Sequence, residues 1–254
     1  MNGSDAITYC GPAPTLAELG ARWNFDPWLL LTFAMALFVW RWHGWHAVAD
    51  ASTLRLQRRA FTAALALLAV AFVSPLCAAT VALFSARTVH HVLIVALAAP
   101  LLALAFAPPR APARPPTLPL VVAIVVFYAW HAPPLYSAAL AAPSIYWAMQ
   151  ATLLASAVWF WARVLHPAAQ PVAALTAILA TAALMGLLGA LLTFAPRPLY
   201  VEHFVAPLAF GLTPLDDQRL AGLIMWVPAL APYLAAAGWI ARRRWGAVAA
   251  RVPA

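Results

Sequence analysis

The sequence predicts an all-α membrane protein, a bundle of seven transmembrane helices with its N-terminus outside and its C-terminus in the cytoplasm. Three observations predict it. The 254 residues are 65% hydrophobic and only 9% charged, whereas soluble domains carry roughly 25% charged residues. Seven apolar stretches have the length of a membrane span, about 20 residues. The arginines fall mainly on one side of the alternating loops, which sets the orientation.

The stretches run over 28–43, 60–84, 88–107, 117–137, 145–164, 171–195 and 219–241. An outer tail, 1–27, precedes them and a basic cytoplasmic tail, 242–254, follows. Prolines gather between stretches, as at Pro108, Pro109, Pro112, Pro115 and Pro116, where a helix must stop. Pro75, Pro100 and Pro228 lie within stretches or near their ends and are expected to bend them. The first 27 residues hold Asp5, Glu18 and Asp26 against Arg22 alone, so no cleaved signal peptide is expected.

With the N-terminus outside, Arg41, Arg55, Arg58, Arg59, Arg110, Arg114, Arg163, Arg242, Arg243, Arg244 and Arg251 are inside, eleven of the fifteen basic residues. Arg22, Arg87, Arg197 and Arg219 are outside with six of the seven acids; Asp50 alone is inside. An odd number of spans follows. The net charge of +8 is scattered over short loops, which argues against a nucleic-acid partner and leaves the lipid bilayer as the main one. No lysine is present, which excludes Schiff-base chemistry, retinal binding included. Cys10 and Cys77 are the two cysteines, and nothing in their spacing pairs them.

The polar residues of the outer side are the informative ones. The stretch Asp216 to Pro228, DDQRLAGLIMWVP, sets four polar residues directly before an apolar run. Asp216 or Asp217 is expected to cap the seventh helix, since a carboxylate satisfies free N–H groups at the positive end of the dipole. His90 and His91 begin the third helix, His131 ends the fourth, and His203 follows the sixth, expected in a solvated loop. His43 and His46, with Trp42 and Trp45, suit an inner interfacial belt. Trp130, Tyr136, Tyr146, Trp147 and Tyr200 suit an outer one.

Two readings of the outer histidines stand open. His90 and His91 serve as interfacial donors, and His131 bonds a carbonyl freed by Pro133 or Pro134; or they gather with the acids at one site. Histidine with methionine suits a soft metal such as Cu(I), and Met225 lies close to the helical stripe of Asp217 and Ala221. Ala221 and Gly222 are small enough to let another helix come close. No strong ligand spacing such as CxxC or HExxH is present.

The chain resembles the CtaG-type cytochrome c oxidase assembly proteins, seven-helix proteins of bacterial inner membranes. The matching strings are Trp23-Asn24-Phe25-Asp26-Pro27, Ser74-Pro75-Leu76, His91 with Ala99-Pro100-Leu101-Leu102, Trp130-His131-Ala132-Pro133 with Leu135-Tyr136, Phe160-Trp161, Pro198-Leu199-Tyr200, and Asp217-Gln218 with Leu220 through Trp226 and Pro228. The resemblance implies a non-enzymatic factor in haem–copper oxidase maturation, multi-pass in the inner membrane with a periplasmic N-terminus. Its implied partners are oxidase subunits or copper chaperones.

Copper is the implied ion, and no haem is expected. The resemblance gives metal-handling or structural roles to His91, His131 and Asp217, with His90, His203 and Met225 as secondary candidates. Many members carry two histidines four apart at the start of the third helix. Here Arg87 stands at the first position, and it is expected to form a structural ion pair with Asp216 or Asp217. A haem-binding membrane electron carrier, using His91 and His131, and a small membrane transporter are the alternatives. An enzyme working at the membrane surface through Asp216, His203 and Glu202 lacks a nucleophile with a recognisable motif.

Overall fold

The computed structural model describes residues 8–46, 51–107 and 113–249. Asp50, Arg110, Arg251 and three of the clustered prolines lie outside these residues, as do the side chains of His43, His46 and Arg244. Among the described residues every regular element is helical.

Helices cover all seven predicted stretches: α1 (Pro27–His46), α2 (Ala51–Phe72) with α3 (Leu76–Ala82), α4 (Phe84–Ala105), α5 (Thr117–His131) with α6 (Pro133–Ala141), α7 (Pro143–Val164), α8 (Pro171–Phe194), and α9 (Pro214–Trp226) with α10 (Ala231–Ala249). Three helical runs, Phe84–Ala105, Pro171–Phe194 and Pro214–Arg243, are long and apolar enough to cross a membrane, and up to five if each bent pair is one span. The last helix reaches Ala249, so much of the predicted basic tail is its continuation.

Of the three prolines expected to bend helices, Pro75 and Pro228 sit at breaks and Pro100 does not. α2 and α3 meet at 45° across Ser74 and Pro75. A break frees carbonyls at the end of α2, and the N-terminal tail supplies their donors. The Asn24 amide N–H reaches the Val73 carbonyl at 2.9 Å, and its side-chain Nδ2 reaches the Phe72 carbonyl at 3.0 Å. Two residues on, the Asp26 carboxylate accepts from the Trp28 amide at 2.8 Å, capping α1 ahead of Pro27.

α5 and α6 meet at 73° before Pro133, and Pro228 opens a short 3₁₀ turn between α9 and α10. Pro100 does not break α4. The turn before it widens to a π-helix over Leu93–Ala98, which shifts the carbonyl that the proline ring would otherwise strike. The indole of Trp161 donates to the Val95 carbonyl in that wide turn at 3.0 Å.

Cys10 and Cys77 form a disulfide, with 5.5 Å between Cα atoms and 67 residues between them in sequence. Spacing gave no reason to pair them. The tail folds back over the α2–α3 bend through Asn24, and that path brings Cys10 onto Cys77.

α8 and α9 run antiparallel and touch backbone to backbone. A Cβ added at Gly222 would lie 2.4 Å from Thr193 Oγ1 and 2.5 Å from the Gly189 carbonyl oxygen; one at Gly189 would lie 2.8 Å from the Gly222 carbonyl oxygen. The small-residue expectation for Gly222 therefore holds, with Gly189 as its partner. Gly222→Ala is expected to cost about 1–3 kcal/mol, because two backbones must part. Gly238→Ala, with nothing within 4 Å of the added carbon, should be neutral or slightly stabilising. Thermal unfolding midpoints of the two variants in detergent test this.

Candidate functional site: a buried carboxylate cap and a histidine–methionine cavity

α9 does not use its acids as predicted. Thr213 is its N-cap: the hydroxyl oxygen accepts from the Asp216 amide at 3.1 Å and the hydroxyl donates to Asp216 Oδ2 at 2.6 Å. Asp216 is exposed. Asp217, one position on, turns inward and is fully buried. Its Oδ2 accepts from the Phe84 amide at 2.6 Å, and its Oδ1 accepts from the Ser85 amide at 3.1 Å and from the Ser85 hydroxyl.

Phe84 and Ser85 are the first residues of α4, whose own cap position, Leu83, offers no side-chain acceptor. Asp217 thus caps a different helix from its own. The neighbouring Gln218 binds the other side: Oε1 accepts from the Leu199 amide at 2.7 Å, and Nε2 donates to the Leu192 carbonyl at 3.2 Å.

The expected pairing of Arg87 with Asp216 or Asp217 is not formed. Arg87 is 2% exposed. Its Nε and Nη2 donate to the Thr80 carbonyl at 3.2 and 3.1 Å, and Nη2 also reaches the Thr80 hydroxyl at 3.2 Å. The guanidinium lies 5.5 Å from the Tyr136 ring centre and 5.9 Å from that of Tyr146, in cation–π range. The acids are unavailable to it for a physical reason: Asp217 is bound by the start of α4 and Asp216 by Thr213. Arg87 Nη1 has no partner among the described residues.

One turn further along the face of α4, His91 meets His131, with ring centres 6.0 Å apart. Both are buried. His131 Nδ1 bonds the Phe127 carbonyl at 2.7 Å, so the proton sits on Nδ1 and Nε2 carries a free lone pair. This carbonyl is one helical turn back; it is neither of those that Pro133 and Pro134 would leave without a donor. His91 Nε2 is buried and without a partner. Both histidines line a cavity of about 20 Å³, together with Met185, Met225, Thr88 and Tyr233 among others. That is room for one water-sized occupant. Met225 was legible from its place near the Asp217–Ala221 stripe. Met185 was not, because it sits inside the long apolar run of α8 with no polar neighbour.

The remaining candidates fall elsewhere. Asp217 is outside the cavity lining, its oxygens occupied by α4. His90 faces away, edge-on to Phe72 at 4.9 Å, with neither ring nitrogen bonded. His203, expected in solvent, is 3% exposed. Its Nε2 accepts from the Tyr136 hydroxyl at 2.6 Å and its Nδ1 donates to the Ala82 carbonyl at 3.2 Å, leaving no nitrogen for a metal.

Three of the predicted belt aromatics are also interior. Tyr136, Tyr146 and Tyr200 are buried, and the Tyr200 hydroxyl donates to the His131 carbonyl at 2.8 Å. Among the described residues no group of three or more His, Cys, Asp or Glu side chains is placed to hold a metal. The cavity instead combines two imidazoles with two thioethers.

The class these features define is a protein all-helical among the described residues, with helices long and apolar enough to cross a membrane, built around a buried helix-capping carboxylate and a small cavity lined by histidine and methionine. Residues 31–246 match the family model described as cytochrome c oxidase caa3 assembly factor (Caa3_CtaG), and the chain belongs to that family. No curated protein and no solved structure matches the chain. Membership makes it a cytochrome c oxidase assembly factor, a role that points away from catalysis.

Asp217→Ala leaves two amides and a hydroxyl of α4 without their acceptor and is expected to cost about 3 kcal/mol. Asp217→Asn, which keeps one accepting oxygen, should cost less, and Ser85→Ala about 1 kcal/mol. Unfolding midpoints in detergent rank the three.

His203 makes stability depend on pH. Burial first, and then the Arg87 charge, push its imidazole down to about 3, against the pull of its bond to Ala82. An unfolded histidine takes its proton near 6.5. The stability of the neutral ring is therefore complete above about 6.5 and is lost as pH falls toward about 3, at ~1.4 kcal/mol per pH unit. His203→Gln should flatten the unfolding midpoint against pH between about 7 and 5 by one proton's worth.

Proposed function

We propose that this protein acts in the inner membrane as a maturation factor for a haem–copper cytochrome c oxidase, and that it handles copper on the outer side of the bilayer. Seven spans with a periplasmic N-terminus are part of this reading. The observation that carries the copper step is the pair of neighbouring histidines, His91 and His131, lining one cavity, with His91 Nε2 buried and without a partner and His131 held through its Nδ1 by the Phe127 carbonyl.

Two further observations support the reading. A disulfide between Cys10 and Cys77 suits an oxidising compartment. In the arginine-based topology both cysteines fall on the outer side, with His91, His131 and Asp217 at the same end. A haem macrocycle is far larger than a cavity of about 20 Å³, which favours a single ion over the electron-carrier alternative. The partners in this reading are an oxidase subunit that receives copper, or a copper chaperone that supplies it.

Deleting the gene should reduce assembled oxidase several-fold while its transcripts stay level, with activity returning on complementation. Normal oxidase activity and subunit levels in the deletion strain would overturn the proposal.

A further inference from the structure

The cavity between His91 and His131 is chemically narrower than a general copper site. His91, His131, Met185 and Met225 are its lining residues with metal-binding side chains, and the rest of the lining is largely apolar. No carboxylate or thiolate lines it. Asp217 is held by α4, and both cysteines are in the disulfide.

A divalent ion there would have no negative ligand to offset its charge, and the Born cost of removing an ion from water grows with the square of that charge. Arg87, one helical turn from His91 on the same face, adds a fixed positive charge that penalises a divalent ion twice as much as a monovalent one. The volume has room for one bare ion or one water. Thioethers prefer soft ions, and imidazole accepts them.

We infer that this cavity, lined from α4, α5, α7, α8, α9 and α10, is a Cu(I) site, with His91, His131, Met185 and Met225 as its four ligands. This rests on the assembly reading for its biological use, but the ion chemistry stands on the cavity alone. The site discriminates by charge as well as softness: Cu(I) enters after losing its water, whereas Zn(II) and Cu(II) do not. His90 and His203 are not ligands, the first because it faces Phe72 and the second because both its nitrogens are bonded.

The test uses the purified full chain in detergent without oxygen. Ascorbate serves as reductant, so that the disulfide stays closed and contributes no thiols. Cu(I) is titrated against a chromophoric chelator. One Cu(I) per chain is expected, with sulfur and nitrogen scatterers in its X-ray absorption spectrum. Met185→Leu and Met225→Leu, which nearly conserve volume, should each weaken binding about tenfold or more, and the double variant should lose the sulfur scatterers. His203→Gln should leave affinity unchanged.

Cu(I) held equally well by the double methionine variant overturns the site, as does equal retention of Zn(II). Absence of Cu(I) binding in a protein whose deletion still lowers oxidase also overturns it, and leaves the assembly reading in place. Cu(I) binding as described, with normal oxidase in the deletion strain, supports the site and removes the assembly reading alone.

Discussion

A carboxylate deep in the protein holds the arrangement together. Asp217 is fully buried, and a lone charge there would be prohibitive. It is tolerated because it accepts from two backbone amides and a hydroxyl at the start of α4, where the helix dipole also favours negative charge. The interaction serves both partners. α4 begins after Leu83 without an acceptor of its own, and Asp217 needs donors. Arg87, His90 and His91 lie within the next two turns, so their directions follow from where Asp217 anchors the first.

The second constraint is the close approach of α8 and α9. Gly189 and Gly222 let two backbones touch, and α9 then delivers Asp217 to α4 on one side and Gln218 to the end of α8 on the other. The same contact sets the thioethers. Met185 precedes Gly189 by one turn, Met225 follows Gly222 by three residues, and the helices are antiparallel. The capping carboxylate and the cavity are therefore consequences of one helix pair. Met225 follows Asp217 by two turns along the buried stripe that includes Ala221.

Polar groups near this end divide into those bound by the protein and those left free. Tyr136, Tyr200, His203, Thr80 and Gln218 hydrogen-bond carbonyls, amides or one another, and so tie the segment after α8 to α3, α5 and α6. His91 Nε2 stays outside that network. In an apolar interior a free nitrogen is costly, and its presence beside two thioethers gives the cavity its chemical character. Arg87 sharpens this by adding positive charge, its bonds among the described residues going to Thr80 and not to a carboxylate.

The sequence by itself determined the helical class, the seven apolar stretches and the family, because hydropathy and short ordered strings are properties of the chain alone. It also put His91 and His131 at the same outer end, Met225 near the Asp217–Ala221 stripe and Gly222 at a close contact, and left open whether the histidines meet. Tertiary structure decided which group satisfies which. Asp217 was legible as a helix cap, but not as the cap of a helix 133 residues away, since an N–H without an acceptor looks the same in sequence whoever fills it. Thr213 took the local role that the acids were expected to play. His203 and three tyrosines carried the composition of an interface and proved to be interior, because burial depends on what folds over them. Cys10 met Cys77 only through the returning tail. Met185 had no local signal at all: a methionine in an apolar run becomes a ligand candidate only when packing sets two imidazoles opposite it.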